Sequence, residues 1–223
     1  MEIIPIAHIR SDFSEKFGIP RQSGLVEELT ADVVFTPEFR EPAALRGIDG
    51  FSHLWLIWEF SKARREGWSP TVRPPRLGGN ARLGVFATRS PFRPNPIGLS
   101  CVRLLEVRQD RALGPVLTVA GADLMDGTPI YDIKPYLPYA DCKPDAAGGF
   151  ASQPKEASLE VDCPPVLLAR VPEEKRRALL AVLAQDPRPQ YQNDPARIYG
   201  MSFAGLEVRF QVVEGRLMVT EIL

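Results

Sequence analysis

The sequence predicts a mainly β fold, a β-barrel or strongly curved sheet followed by a small α+β appendage, and three observations lead there. Six short runs rich in Val, Ile, Leu and aromatics fall in the first 121 residues, without a regular alternation of helices between them. A stretch rich in Pro, Gly, Ala and Ser interrupts the chain at 143–165. Beyond it, one helix-like segment precedes three further strand-like runs. A doubly wound sheet places a helix after nearly every strand, so strands without helices point to curvature or closure of one sheet.

The first six strands are expected at 3–10, 25–35, 53–60, 83–87, 98–108 and 115–121, divided by Gly, Pro and Asp. LWLIWEF, in the third, is apolar almost throughout and calls for cover on both faces. In VRLLEVRQ, Val102, Leu104 and Glu106 share one face while Leu105 and Val107 share the other. A short helix is expected at about 40–47, ended by Gly47. Residues 123–141 read as an extended loop that starts with a turn at Asp126-Gly127-Thr128.

A second helix is expected at about 172–185. Pro172 suits its first turn, Glu173 and Glu174 its positive end, and Asp186-Pro187 stops it. Leu179, Val182 and Leu183 supply one apolar stripe. Strands at about 198–203, 206–213 and 216–222 finish the chain, with turns at Gly205 and Glu214-Gly215. The expected division is a domain over 1–142, a linker or arm over 143–165, and a small α+β unit over 166–223. A unit of roughly 60 residues buries too little to be very stable alone, so it should dock on the first.

Hydrophobic residues make up 44% of the 223 and charged residues 25%, a globular rather than a disordered composition. No apolar run reaches the ~18–20 residues of a membrane span. MEIIPIAHIR carries neither a basic n-region nor a cleavage site, which reads as a cytosolic protein. Cys101, Cys142 and Cys163 are odd in number and widely spaced, against both a disulfide framework and a zinc site; buried reduced thiols are expected. His8 and His53 alone exclude a multi-histidine metal centre. Neither a GxGxxG after a strand, a P-loop, an HExxH, a CxxC nor a nucleophile elbow is present, so hydrolysis through a nucleophilic serine is disfavoured. His53 reads as a core or hydrogen-bonding residue.

Net charge is −1, but it is unevenly spread. Residues 61–93 hold Lys62, Arg64, Arg65, Arg73, Arg76, Arg82, Arg89 and Arg93 against the single acid Glu66, a local +7 that leaves −8 for the rest. Screening limits what a phosphate feels to about 10 Å, so such a segment can bind nucleic acid on a near-neutral protein. A solvated arginine-rich loop without a partner is the alternative.

Two stretches carry the chemistry. In GVFATRSPFRPNPIGLS, residues 84–100, Pro91, Pro94 and Pro96 stiffen a loop from which Arg89 and Arg93 project, and Gly98 allows close backbone approach. Guanidiniums on a rigid loop suit a carboxylate or a phosphate; pairing with local acids is the plainer reading. In DLMDGTPIYDIKPYLPYAD, residues 123–141, Tyr131, Asp132, Lys134, Tyr136 and Tyr139 put aromatic and charged groups together. Aromatics can stack on a base, and carboxylates can bind ribose hydroxyls or accept a proton, though a polar surface loop would look similar. FGIPRQSG at 17–24 adds a Pro-Arg-Gln between strands, a weaker signal.

Taken together, IPRQSGL, GFSHLWLIWEF, TVRPPRLGGNARLGVFATRSPFRPNPIGLS and DGTPIYDIKPYLPYAD resemble the TsaA-like family, the tRNA threonylcarbamoyladenosine methyltransferases. LAQDPRPQY at 183–191 resembles the tail of the bacterial long form. The resemblance implies a small single-sheet β-barrel that binds S-adenosylmethionine without a Gly-rich fingerprint, with the active site shared across a homodimer. It implies methylation of N6 of threonylcarbamoyladenosine beside the anticodon of threonine tRNA, so the partner is the tRNA anticodon stem-loop, without metal or membrane.

By position, the resemblance implies cofactor contacts at Pro20, Arg21, Gln22, Arg89, Leu99, Leu124, Met125, Asp126, Gly127 and Thr128. Ser61 and Lys62 fall where other members carry a different polar pair. For the reaction, Asp126 and Asp132 are the candidate proton acceptors, and Arg93 or Lys134 the candidate partner of the threonyl carboxylate. Arg73, Arg76 and Arg82, with Arg188 and Tyr191 in the tail, are the candidate RNA contacts. A non-catalytic RNA-binding or S-adenosylmethionine-sensing module, and a methyltransferase acting on a small molecule or protein, are the alternatives.

Overall fold

The computed structural model describes residues 2–78, 80–152, 158–189 and 194–223. Its elements are β1 (Ala7–Arg10), β2 (Thr30–Phe35), β3 (His53–Glu59), β4 (Thr71–Val72), β5 (Leu83–Gly84), β6 (Ile97–Asp110), β7 (Gly114–Ala120), β8 (Pro129–Pro135), α1 (Pro138–Asp141), β9 (Glu160–Asp162), α2 (Pro165–Leu168), α3 (Glu173–Ala184), β10 (Tyr199–Phe203), β11 (Leu206–Val213) and β12 (Arg216–Ile222).

The fold is mainly β. Six strands hydrogen-bond in the order β1-β2-β7-β6-β3-β8, and β8 returns to β1 through Ala7↔Ile130 and His8↔Pro129, so the ring of antiparallel pairings closes. Closure leaves no unpaired edge in this sheet and gives it an inside. Alternate residues fill that inside: Ala7 and Ile9, Val33 and Phe35, Leu54, Leu56 and Trp58, Val102, Leu117 and Val119, and Ile130.

Several elements differ from expectation for identifiable reasons. The helix at 40–47 is replaced by two 3₁₀ turns, Pro37–Phe39 and Pro42–Leu45. Pro42 has no N–H to donate and the segment is too short to sustain a nucleus, so i→i+3 bonds close it. The strand at 83–87 pairs only over Leu83–Gly84, against Thr71–Val72, before a 3₁₀ turn at Val85–Ala87. Part of the expected loop at 123–141 is β8, a full member of the ring. Part of the expected linker is β9, which lies parallel to β12. β3 is covered on one face only: Leu54, Leu56 and Trp58 are buried while Trp55 and Ile57 stay partly exposed. All three cysteines are free thiols, yet none is fully buried and Cys142 is exposed.

The second sheet runs β10-β11-β12-β9, and α3 packs Ala178, Leu179, Val182 and Leu183 against it. This core reaches into the loop between β1 and β2. Phe13, Val26 and Leu29 belong to it, Phe13 meets Phe203 edge-on at 5.6 Å, and Phe17 stacks on Phe210 at 6.5 Å. Lys175 on α3 pairs with Asp12 at 2.7 Å. Residues 11–29 are therefore held from both sides, by the closed sheet at their ends and by the C-terminal core along their length.

Gly18 marks the tightest point. Its φ is +96°, and a Cβ there would lie 2.2 Å from Met201 Sδ, in a side chain with no exposed surface. Gly18→Ala should lower unfolding free energy by about 1–3 kcal/mol through backbone strain and overpacking. Urea denaturation should show a lower midpoint at unchanged slope; an unchanged midpoint would mean that the loop is not clamped at this position.

Candidate functional site

A close approach at β6 starts the site. A Cβ on Gly98 would lie 2.3 Å from the Trp58 ring, so only glycine lets that indole lie on the strand. From there Trp58 Nε1 donates to Ser100 Oγ at 2.9 Å, and Ser100 Oγ donates to Asp123 Oδ1 at 2.5 Å. Ser100 has no exposed surface. Burial pushes the Asp123 carboxyl up, against the opposing influence of the Ser100 hydroxyl, the Ser23 backbone N–H and the nearby Arg89 charge.

Asp123 was not anticipated from the sequence, yet the anticipated residues gather round it. Ser23 Oγ accepts the Cys101 N–H at 3.1 Å, and Gly24 N–H donates to the Gly121 carbonyl at 2.9 Å, sewing residues 23–24 to β6 and to the end of β7. Arg89 donates to Gln22 Oε1, and Gln22 donates to the Arg21 carbonyl. Arg21 in turn donates to the Arg188 carbonyl at 3.3 Å, reaching the C-terminal unit. Pro20, next to Arg21 in the chain, is buried. The Arg89 loop, the 20–24 loop and the segment entering the 124–128 turn thus converge.

The turn itself is firmly held. Ser11 Oγ donates to the Leu124 carbonyl at 2.9 Å and Ser11 N–H to Asp126 Oδ1 at 3.0 Å. The N–H groups of Asp126, Gly127 and Thr128 donate to the carbonyls of Phe13, Ile9 and Met125. Leu124 and Thr128 are buried. What the turn keeps for a bound molecule is the Asp126 and Gly127 carbonyls, the second Asp126 oxygen, and the Leu124 and Met125 N–H groups, for which no partner is found among the described residues. Asp126 also borders a polar cleft of about 420 Å³ lined by Asp12, Pro172, Lys175 and Gly205.

A second group lies on the outer face of the closed sheet. Ile57 pairs with Leu99 on β6 and with Asp132 on β8, and Trp55 pairs with Cys101 and Lys134. Asp132 and Leu99 therefore sit two strands apart on one face, about 10 Å by sheet spacing. Asp132 and Lys134 pair with each other at 2.9 Å and both remain solvent-accessible. Leu99 is 56% exposed and Ile97 43%, so the carboxylate–ammonium pair stands beside open apolar surface.

The register of β8 shifts between Ile57 and Trp58, leaving Tyr131 as the extra residue. Such a bulge re-aims its side chain. Tyr131 Oη donates to Glu59 Oε2, and Arg64 donates to Glu59 Oε1. Glu59 is only 6% exposed. The Arg64 guanidinium beside Glu59 holds its carboxyl below the usual range, with Tyr131 adding to that and burial opposing it. The Glu59 group braces the start of the segment that carries Ser61 and Lys62, and Phe60 N–H ties that segment to the Pro96 carbonyl at 2.8 Å.

The remaining candidates are spread along the surface. Arg93 donates to the Thr88 carbonyl at 3.1 Å and Arg82 to Thr71 Oγ1 at 3.1 Å, while Arg73 is exposed. Arg188 is not the free side chain expected in the tail. It forms two hydrogen bonds with Asp186, at 2.8 and 3.1 Å, and its side chain is 11% exposed. Tyr191 and the Arg76 side chain lie outside the described residues. Among the described residues no group of three or more His, Cys, Asp or Glu could hold a metal, and no helix is long and apolar enough to cross a membrane.

A closed six-stranded sheet whose candidate site is built from loops, with a small α+β unit bracing one of them, is the class that this geometry defines. The profile of the tRNA-methyltransferase O N-terminal domain matches residues 8–142, and that of the TrmO C-terminal domain matches 156–223. The chain belongs to the TrmO family. It is 44% identical over 223 residues to the tRNA (adenine(37)-N6)-methyltransferase of Escherichia coli K12, covering 94% of this chain and 92% of that protein. It is 47% identical over 174 residues to the protein of the same name from Eikenella corrodens, covering 78% and 97%. A crystal structure of TrmO from Pseudomonas aeruginosa superposes with a TM-score of 0.81 at 34% identity, covering 100% of this chain and 98% of that one.

Replacing Glu59 by Gln tests the brace. A carboxylate with a depressed folded-state pKa contributes stability above its unfolded value, near 4.3, and loses it as pH falls through the folded value. Glu59→Gln should therefore cost about 1–2 kcal/mol at neutral pH, since Arg64 is mostly exposed and screened. The gap from wild type should close as pH falls from the unfolded value through the lower folded one. Equal stability at neutral pH would show that the group contributes nothing to the fold.

Proposed function

We propose that the chain transfers a methyl group from S-adenosylmethionine to N6 of threonylcarbamoyladenosine beside the anticodon of threonine tRNA. In coarser terms it is an S-adenosylmethionine-dependent tRNA N6-adenine methyltransferase. The observation that carries this reading is the convergence of the 20–24 loop, Arg89 and the approach to the 124–128 turn around Asp123, in a chain of this family. We take the closed sheet to be the family's small β-barrel, with domains over 1–142 and 166–223 joined by 143–165. The tRNA is engaged through its anticodon stem-loop, the compartment is the cytoplasm, and the working form is a homodimer.

The residues fit S-adenosylmethionine chemically. Arg89 donates to Gln22 and its charge acts on Asp123, but it forms no direct salt bridge among the described residues, so its guanidinium keeps donors for the carboxylate of the methionine part. The acceptors of the 124–128 turn suit an amino group, and the exposed Leu99 suits the apolar flank of the sulfonium or purine. When bound, the cofactor supplies a methyl group already activated on sulfur, so no metal or covalent enzyme intermediate is required.

This chain's residues then orient and deprotonate. The 20–24 and 89–100 loops fix the donor, and alignment of nitrogen, methyl carbon and sulfur can supply about 7–11 kcal/mol of the barrier. The N6 proton must leave, and the candidate acceptors are Asp132, which shares a face with Leu99 and whose oxygens bond the Ile133 N–H and Lys134, and Asp126, which keeps one oxygen free of Ser11 and borders the inter-unit cleft. Lys134, paired with Asp132 and solvent-accessible, is the candidate partner of the threonyl carboxylate, with Arg93 as the second. Ser61 and Lys62 line the cofactor from the end of β3. Arg73, Arg76 and Arg82 neutralise phosphates, while Arg188 acts through its backbone on the cofactor loop.

Purified protein with S-adenosylmethionine and tRNA should form the N6-methylated nucleoside only when the tRNA already carries threonylcarbamoyladenosine, as read by mass spectrometry of nucleosides. Equal product on unmodified tRNA would remove the carboxylate-recognition part of the reading, and no product on either would favour a binding module. Neutralising Arg73 and Arg82 together should weaken tRNA binding and flatten its salt dependence by about 0.7–0.9 per lost phosphate contact. Cofactor affinity should stay unchanged. An unaltered salt slope would make these arginines irrelevant to RNA.

A further inference from the structure

The small β4–β5 ladder brings two aromatic rings together on the surface. Thr71 pairs with Gly84 and Val72 with Leu83, and the Val85 N–H extends the ladder to the Pro70 carbonyl at 2.9 Å. Trp68, just before β4, and Phe86, just after β5, then lie side by side with ring centroids 6.0 Å apart and planes inclined by 32°. Trp68 is 54% exposed and Phe86 72%. Both belong to the segment that carries a net +7, three residues upstream of Arg89 in the case of Phe86.

These rings do no packing work that explains them. Neither belongs to either hydrophobic core. Phe92, in the same segment, has the Arg65 guanidinium 3.8 Å from its ring centroid, but among the described residues no cation covers Trp68 or Phe86. Their π-faces stay available, and Arg82 is tied to the same small ladder by its bond to Thr71 Oγ1 on β4.

We propose that Trp68 and Phe86 form a stacking platform for an unpaired base of the substrate RNA. The proposal rests on the tRNA reading above and adds to it a site that reads bases rather than phosphates. Charge favours a nucleic-acid occupant: a phosphate chain neutralises the +7 segment in which both rings lie, whereas the segment packed on its own counterpart in a second copy would repel it. Aromatic faces interleaved with guanidiniums accept any base, because every base has a π-face. Bases splayed from an anticodon loop are the RNA elements able to reach such a surface.

The test uses the full-length protein and threonine tRNA that carries threonylcarbamoyladenosine. Trp68→Ala with Phe86→Ala should weaken tRNA binding about 10- to 100-fold. The slope of log affinity against log salt should stay at the wild-type value, because stacking releases no counterions. Cofactor affinity and melting temperature should also match wild type, and Trp68→Phe with Phe86 retained should bind nearly normally. Unchanged tRNA affinity in the double alanine variant would overturn the platform. So would a loss of affinity accompanied by a drop in molar mass by light scattering, which would assign the rings to contact between copies. Wild-type protein that itself fails to bind the tRNA would overturn the methyltransferase reading along with it.

Discussion

The Trp58 indole lies on the backbone of Gly98, and the hydrogen bonds that run from it through Ser100 to Asp123 set the geometry of everything around them. Trp58 enters from β3, Ser100 from β6 and Asp123 from the segment after β7, so one line of contacts crosses three parts of the closed sheet. The loops that need positioning attach to its end: Ser23 and Arg89 both act on the Asp123 carboxyl. Burial raises the pKa of that carboxyl, so its ionised form makes the fold less stable rather than more. A desolvated acid kept at such a cost, with an arginine at its edge, fits a site better than a structural staple.

The second constraint comes from the C-terminal unit. Its core takes in Phe13, Val26 and Leu29 from the loop between β1 and β2, and Gly18 seats that loop against Met201. Arg21 adds a bond to the Arg188 carbonyl. The unit is thus a brace for the 20–24 segment, which would otherwise be a long loop free to move at the rim of the sheet. Its own arginine at 188 is turned toward Asp186, so its contribution to the site runs through backbone and packing rather than through a free charge.

Legibility in the sequence followed how local each signal was. α3 and the strands β10 to β12 were readable because an apolar stripe, an Asp-Pro stop and Gly turns all lie within the elements they define. The Arg89 loop was readable because three prolines stiffen it from within. β8 was not: Pro129, Asp132, Lys134 and Pro135 look like loop residues, and only pairing with β1 and β3, distant in sequence, makes them a strand. Asp123 escaped notice for the same reason, since Ser100, Ser23 and Arg89 give it meaning and none is near it in the chain. The burial of Arg188 depended on a partner two residues away and on the docking of the whole unit, which composition does not reveal.

The central claim is that Asp123 positions the loops proposed to hold the cofactor, and calorimetric titration of S-adenosylmethionine into Asp123→Asn tests it most directly. Asparagine keeps one acceptor oxygen for Ser100 while removing the charge that acts on Arg89. Cofactor binding should weaken by roughly tenfold or more, with the melting temperature equal to wild type or higher, because an unfavourable, partly desolvated charge has been removed. Combining Asp123→Asn with Arg89→Gln should cost little beyond the worse of the two single changes, the sign of a coupled pair. Wild-type affinity in a folded Asp123→Asn protein, or full additivity with Arg89→Gln, would contradict the account.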